Sequence, residues 1–148
     1  MPRPQPLGVA FRCPLLSATV DAEVVGMGMS HRVASAIGEY GEQLACEYLA
    51  GLGYEVVDRN WRCDQGELDI VARDGRCLVF CEVKTRRSTA FGSPVEAVTQ
   101  AKASRLRRLA VSWLREHAHH ADEVRIDVIG VLSPSHGPAE VEHLVGVA

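Results

Sequence analysis

Four ionisable side chains in one short stretch, Glu67, Asp69, Glu82 and Lys84, have the types needed to work on a phosphate. They stand in the run GELDIVARDGRCLVFCEVKTRR, from Gly66 to Arg87, which reads as two strands, Glu67 to Ala72 and Cys77 to Thr85. Asp74-Gly75 between them is a strong hairpin signal. Pairing the strands across that two-residue turn sets Arg73 opposite Arg76, Asp69 opposite Phe80 and Glu67 opposite Glu82. Side chains alternate along a strand. Glu67, Asp69, Glu82 and Lys84 are therefore expected on one face, and Leu68, Ile70, Ala72, Cys77, Val79, Cys81 and Val83 on an apolar face behind it.

Like charges directly opposite on a sheet are destabilising, by about 1 to 4 kcal/mol per close pair depending on the local dielectric. A divalent cation removes the conflict, because hard cations take one or two carboxylates together with water and phosphate oxygens. Lys84 would add a compact cation beside the same spot. The alternative is a solvated strand face, which antiparallel sheets commonly keep.

The flanking elements must supply whatever else the site needs. From about Ser35 to Leu52 the pattern is helical, with Ile37, Tyr40, Gly41, Leu44, Tyr48 and Leu52 in one stripe and Gly51 and Gly53 ending it. Glu42 falls at the rim of that stripe, where a carboxylate can reach a sheet beneath, or can simply serve the helix surface. Tyr54 to Arg62 reads as a first strand. A second helix is expected from Pro94, capped by Ser93, to about His117, with Val95, Val98, Leu106, Leu109, Ala110 and Trp113 buried. Lys102 falls on that buried stripe, either snorkelling along it or pointing at the acidic cluster. Val124 to Leu132 is another strand, on which Arg125 and Asp127 lie two apart and are placed to form an ion pair. Val141 to Val147 is a weak final strand, expected at an edge.

Gly41-Glu42, Tyr48-Leu49, Gly53-Tyr54, Asn60, Arg62, Gly66-Glu67, Asp69-Ile70, Asp74-Gly75, Glu82-Val83-Lys84, Ala97-Val98, Lys102 and Arg125-Ile126-Asp127-Val128 form an ordered series. In it the chain resembles the YraN family of small bacterial proteins, which are similar to archaeal Holliday-junction resolvases within the PD-(D/E)XK nuclease superfamily. The resemblance spans about Ile37 to Val131. It implies an α/β restriction-endonuclease-like sandwich, with a mixed central sheet flanked by helices and an α-β-β-β-α-β core. It also implies a nuclease or nuclease-like protein acting on DNA, on branched DNA in particular.

By the same resemblance, Asp69, Glu82, the backbone carbonyl of Val83 and Glu42 would hold Mg²⁺ or Mn²⁺. Lys84 would position or deprotonate the attacking water. Arg86 and Arg87 just beyond it, with Gln100, Lys102 and Arg105 of the second helix, would contact the nucleic acid. Glu67 has no fixed place in this scheme: a helper ligand, an outer acid and a neutral carboxyl all remain open. Junction resolvases work as dimers, and edge strands are the only feature of this sequence that would support a homodimer. A nucleic-acid-binding module without catalysis is the main rival. A phosphoesterase on small nucleotides would want a glycine-rich phosphate loop, which the sequence lacks.

Composition agrees with one globular domain of 148 residues, 47% apolar and 24% charged. Residues 35–148 are read as that domain, and residues 1–30, with four prolines, as a disordered or over-extended leader. The net charge of −3 gives no global nucleic-acid signature, so any basic surface must be local. Five cysteines form no CxxC pair, which fits buried thiols in a reducing, cytoplasmic compartment. His117, His119 and His120 lie near a helix end without cysteine companions, which suits the helix dipole better than zinc. No apolar run approaches the ~20 residues of a membrane helix.

Overall fold

A computed structural model of the chain describes residues 9–12, 31–87, 98–118 and 121–147. Its elements are β1 (Val9–Arg12), α1 (His31–Gly51), β2 (Glu55–Cys63), β3 (Gly66–Asp74), β4 (Cys77–Arg86), α2 (Gln100–Glu116), β5 (Glu123–Leu132) and β6 (Glu140–Leu144). They form one mixed sheet in the order β1-β6-β5-β4-β3-β2. Among the described residues only the β4–β5 pair is parallel, with α2 between them in sequence, as a parallel crossover requires. This is the α/β sandwich expected. The strand β1 lies inside the segment read as a leader and pairs with β6, so β6 is interior and the edges are β1 and β2.

Both faces of the sheet are covered. Leu44, Ala45, Cys46 and Leu49 of α1 pack on Ile70, Ala72, Cys77, Val79, Cys81, Ile129 and Val131. On the other side Leu106, Leu109, Ala110 and Trp113 of α2 pack on Trp61, Leu68, Val71, Leu78 and Phe80. The hairpin therefore has no wet face, and strands covered twice are apolar on both sides. Leu68 and Ile70, two residues apart, enter different layers, so β3 turns over at Asp69. The partner strand does the same. Asp58 and Trp61, three apart, both meet α2, and Asn60 between them has φ +53°. The β2–β3 pairs Arg59–Ile70 and Trp61–Leu68 set Asn60 across from Asp69 at this point.

The hairpin turn is also displaced. Gly75, at φ +60°, takes the first central position with Arg76 second, and Asp74 pairs with Cys77. A glycine with positive φ there is what a type II′ turn needs. The register consequently moves by two residues: Val71 rather than Asp69 faces Phe80. Arg73 faces Leu78, not Arg76. The helix after β4 is capped by Thr99, whose hydroxyl accepts from the Lys102 amide, so Val98 and Thr99 precede it. Ser93 and Pro94 lie outside the described residues. Among the described residues no helix is long and apolar enough to cross a membrane.

The interior carries a polar assembly around Asp127. Asp127 is fully buried and accepts from Arg125 Nε at 2.9 Å, Arg125 Nη2 at 3.0 Å and the Gly146 amide at 2.9 Å. His143 Nε2 lies 2.7 Å from it, and the other ring nitrogen is 3.1 Å from the Tyr48 hydroxyl. Arg125 also donates to the Tyr54 hydroxyl at 2.8 Å. The ion pair expected from the spacing of Arg125 and Asp127 is thus present, inside a network that ties α1, β5 and β6 together.

Candidate functional site

Glu42, Glu67 and Asp69 offer carboxylate oxygens that all lie within 4.8 Å of one another. Each is placed by a specific local device. Ala45 and Leu49 of α1 are fully buried, and Glu42, three and seven residues earlier, shares their side of the helix and is itself partly buried. Gly41 beside it lets α1 come close to β4, because a Cβ there would overlap the Thr85 side chain. Asp69 sits where β3 turns over. The β3–β4 ladder ends at Ile70–Cys81, and beyond it the Val83 amide donates to Asp69 Oδ2 at 2.8 Å. Glu67 follows Gly66, which has φ +143°, and meets Arg62 of β2 at 3.5 Å.

Burial pushes the Asp69 carboxyl up to about 6; the Val83 amide opposes this, and the charges of Glu42, Glu67 and Glu82 add to it. Burial likewise raises Glu42, against a hydrogen bond from the Asn60 side chain, with Glu67 adding repulsion. The trio therefore holds half-buried negative charge in mutual conflict. An all-oxygen donor set of this kind fits a hard divalent cation and does not suit a soft one.

Glu82 stands apart from that trio. By alternation it shares the α2 side with Leu78 and Phe80, and its side chain is only 12% exposed. Arg105 of α2 donates to it at 2.9 Å, and Lys84 Nζ lies 3.5 Å away. The structure thus brings Glu42 and Asp69 together with Glu67, and engages Glu82 with Lys84 and Arg105. The Val83 amide joins the two groups. Lys102 is half-buried near the start of α2, and among the described residues Arg105 and Lys84 are the cations at Glu82. Arg86 ends β4 and Arg87 follows it, while Gln100 is the exposed first residue of α2. Further along α2, His117 stacks on Trp113 and lies 3.6 Å from Asp58, while His119 and His120 lie outside the described residues.

Asn60 is the site residue that reading the sequence missed as such. Beyond its place in the series that carries the family resemblance, its signal was an asparagine inside a strand, the residue type most tolerant, after glycine, of a left-handed backbone.

A family model for the uncharacterised protein family UPF0102 matches residues 41–131. The chain belongs to this family. A UPF0102 protein of Beutenbergia cavernae is 63% identical over 116 residues, 78% of this chain and 98% of that relative. One from Frankia casuarinae is 55% identical over 115 residues, 78% of this chain and 98% of the relative. One from Streptomyces coelicolor is 54% identical over 125 residues, 83% and 96% respectively. The matched span holds the acidic trio, Glu82, Lys84, Asn60 and the Arg125–Asp127 pair, so the UPF0102 match covers the whole candidate site.

Proposed function

We propose that this UPF0102 protein is a divalent-metal-dependent nuclease that hydrolyses DNA phosphodiesters, branched DNA among them. The observation that carries the reading is the acidic trio, with the Glu82–Lys84 pair joined to it through the Val83 amide that donates to Asp69. Glu42, Glu67 and Asp69 would hold Mg²⁺ or Mn²⁺. Such an ion, when bound, polarises a phosphoryl oxygen and lowers the pKa of its water. The protein's own work is then positional. The Val83 amide fixes Asp69, and Asn60 and Gly41 fix Glu42. Lys84, steadied by Glu82, would orient the attacking water and offset charge on the phosphate.

Local basic charge supports an anionic partner. The helix α2 carries Lys102, Arg105, Arg107, Arg108 and Arg115 against the single acid Glu116, in a chain of net charge −3. Arg86 and Arg87 extend that charge next to Lys84. A homodimer pairing through an edge strand would suit cleavage of two strands of a branched junction. The buried thiols Cys46, Cys77 and Cys81 support a reducing, cytoplasmic location.

Labelled four-way-junction, flap, duplex and single-stranded DNA, incubated with and without Mg²⁺ or Mn²⁺, test this directly. The expected result is metal-dependent cleavage that disappears in both Asp69→Ala and Lys84→Ala. Intact DNA, with binding that survives both substitutions and chelator, would make the protein a non-catalytic nucleic-acid-binding module.

A further inference from the structure

Asn60 occupies an unusual place for its residue type. It lies within β2, exposed, at φ +53°, a left-handed backbone conformation that costs a residue other than glycine on the order of 1 kcal/mol or more. Such a cost persists where surrounding structure enforces it. Here the enforcing structure is visible. The strand pair turns over between Arg59–Ile70 and Trp61–Leu68, so that Asp58 before it and Trp61 after it both meet the α2 layer. The same bend sets Asn60 across from Asp69, with its side chain near enough to Glu42 on α1 to oppose the rise that burial imposes on that carboxyl. A glycine would relieve the backbone without cost in sterics. The side chain is therefore what asparagine adds at this position.

We infer that Asn60 is a positioning residue of the metal site: its side-chain amide donates to the Glu42 carboxylate and holds it over Asp69, opposing the repulsion that would swing it away. This rests on the reading of the trio as a cation site. Among the described residues Glu42 is the one trio member contributed by α1, so its placement depends on contacts across the helix–sheet gap. Gly41 closes that gap, and Asn60 spans it. Nearby Arg59 makes a parallel link, donating from Nη1 to Gln43 Oε1 at 3.1 Å, so the bend of β2 clasps α1 at two successive residues.

The test is calorimetric titration of Mn²⁺ into the wild-type protein, Asn60→Gly, Glu42→Ala and the double variant, with a thermal melt of each. Asn60→Gly keeps the left-handed backbone and removes only the amide. It is expected to melt close to wild type and to bind Mn²⁺ about tenfold more weakly, as loss of an outer-shell partner does. On the Glu42→Ala background the same substitution is expected to cost nothing further, because its effect runs through Glu42. Unchanged Mn²⁺ affinity in Asn60→Gly, or a full loss that persists without Glu42, would overturn the positioning role and leave the metal site standing. Failure of the wild-type protein to bind Mn²⁺ would overturn both.

Discussion

Asp69 and Asp127 lie on the same α1 side of the sheet, yet their surroundings are opposed. Burial alone would raise Asp127, but His143, Arg125 and the Gly146 amide outweigh it and bring the carboxyl below its ordinary value. Asp69 has one amide donor, and burial together with three neighbouring carboxylates lifts it to about 6. One carboxylate is surrounded by donors and the other by acceptors. No buried side-chain polar atom among the described residues lacks a hydrogen-bond partner, so the conflict at Asp69 is not a general looseness of the interior. The difference separates a carboxylate that the chain itself stabilises from one that it leaves in conflict with its neighbours, as carboxylates of functional sites often are.

The comparison breaks most visibly at Asp127. Asp127→Ala leaves Arg125 and His143 without their shared acceptor, and loss of one partner of a buried pair costs about 3 to 5 kcal/mol. Chemical denaturation should show a drop of that size whether or not Mn²⁺ is present. A smaller effect is expected at Gly41. Gly41→Ala drives a methyl group into Thr85, and overpacking of this kind costs about 1 to 3 kcal/mol. It should also weaken Mn²⁺ binding by displacing Glu42, and adding Thr85→Ala should recover part of both losses.

The pH dependence of stability sharpens the contrast at lower amplitude. With its folded value near 6 and an unfolded value near 3.9, Asp69 binds more protons in the folded chain between those limits. Its contribution to stability therefore falls as pH rises from about 4 to about 6. Asp127, lowered on folding, contributes stability above the ordinary carboxylate range and loses it as pH falls below that range. Denaturant midpoints across pH 3 to 8 (roughly the span of both groups) should show the first slope vanish in Asp69→Asn.

Residue type and alternation made much of this legible in advance. The acids, Lys84, the Arg125–Asp127 pair and the strand–helix order from α1 onward could all be read from pattern, while β1 could not. What pattern could not supply was the behaviour of the backbone at two points. Asp74-Gly75 signals a turn, but whether glycine sits first or second decides the register, and the two-residue difference changes which residues face one another. At Asn60 and Asp69 both strands turn over together. That event breaks the period-two rule on which face assignments rest: Asp69 meets Glu42, while Glu82, on a strand that keeps its alternation, faces α2 with Leu78 and Phe80. The place of Glu42 beside Ala45 and Leu49 follows from helical spacing, but the close approach of α1 to β4, where Gly41 has no Cβ to meet Thr85, does not. Thr99, a good N-cap by type, was hidden by the stronger signal of Ser93-Pro94 upstream.

The most direct test compares melting temperatures of the wild-type protein and Asp69→Asn, each with and without Mn²⁺, near neutral pH. Asp69→Asn is expected to melt at or above wild type without the ion, because removing the charge relieves repulsion and desolvation. Mn²⁺ should then raise the melting temperature of the wild type alone. A marked loss of stability in ion-free Asp69→Asn would place Asp69 with Asp127 as a structural carboxylate, and an equal Mn²⁺ shift in both proteins would move the ion elsewhere; either result contradicts the account.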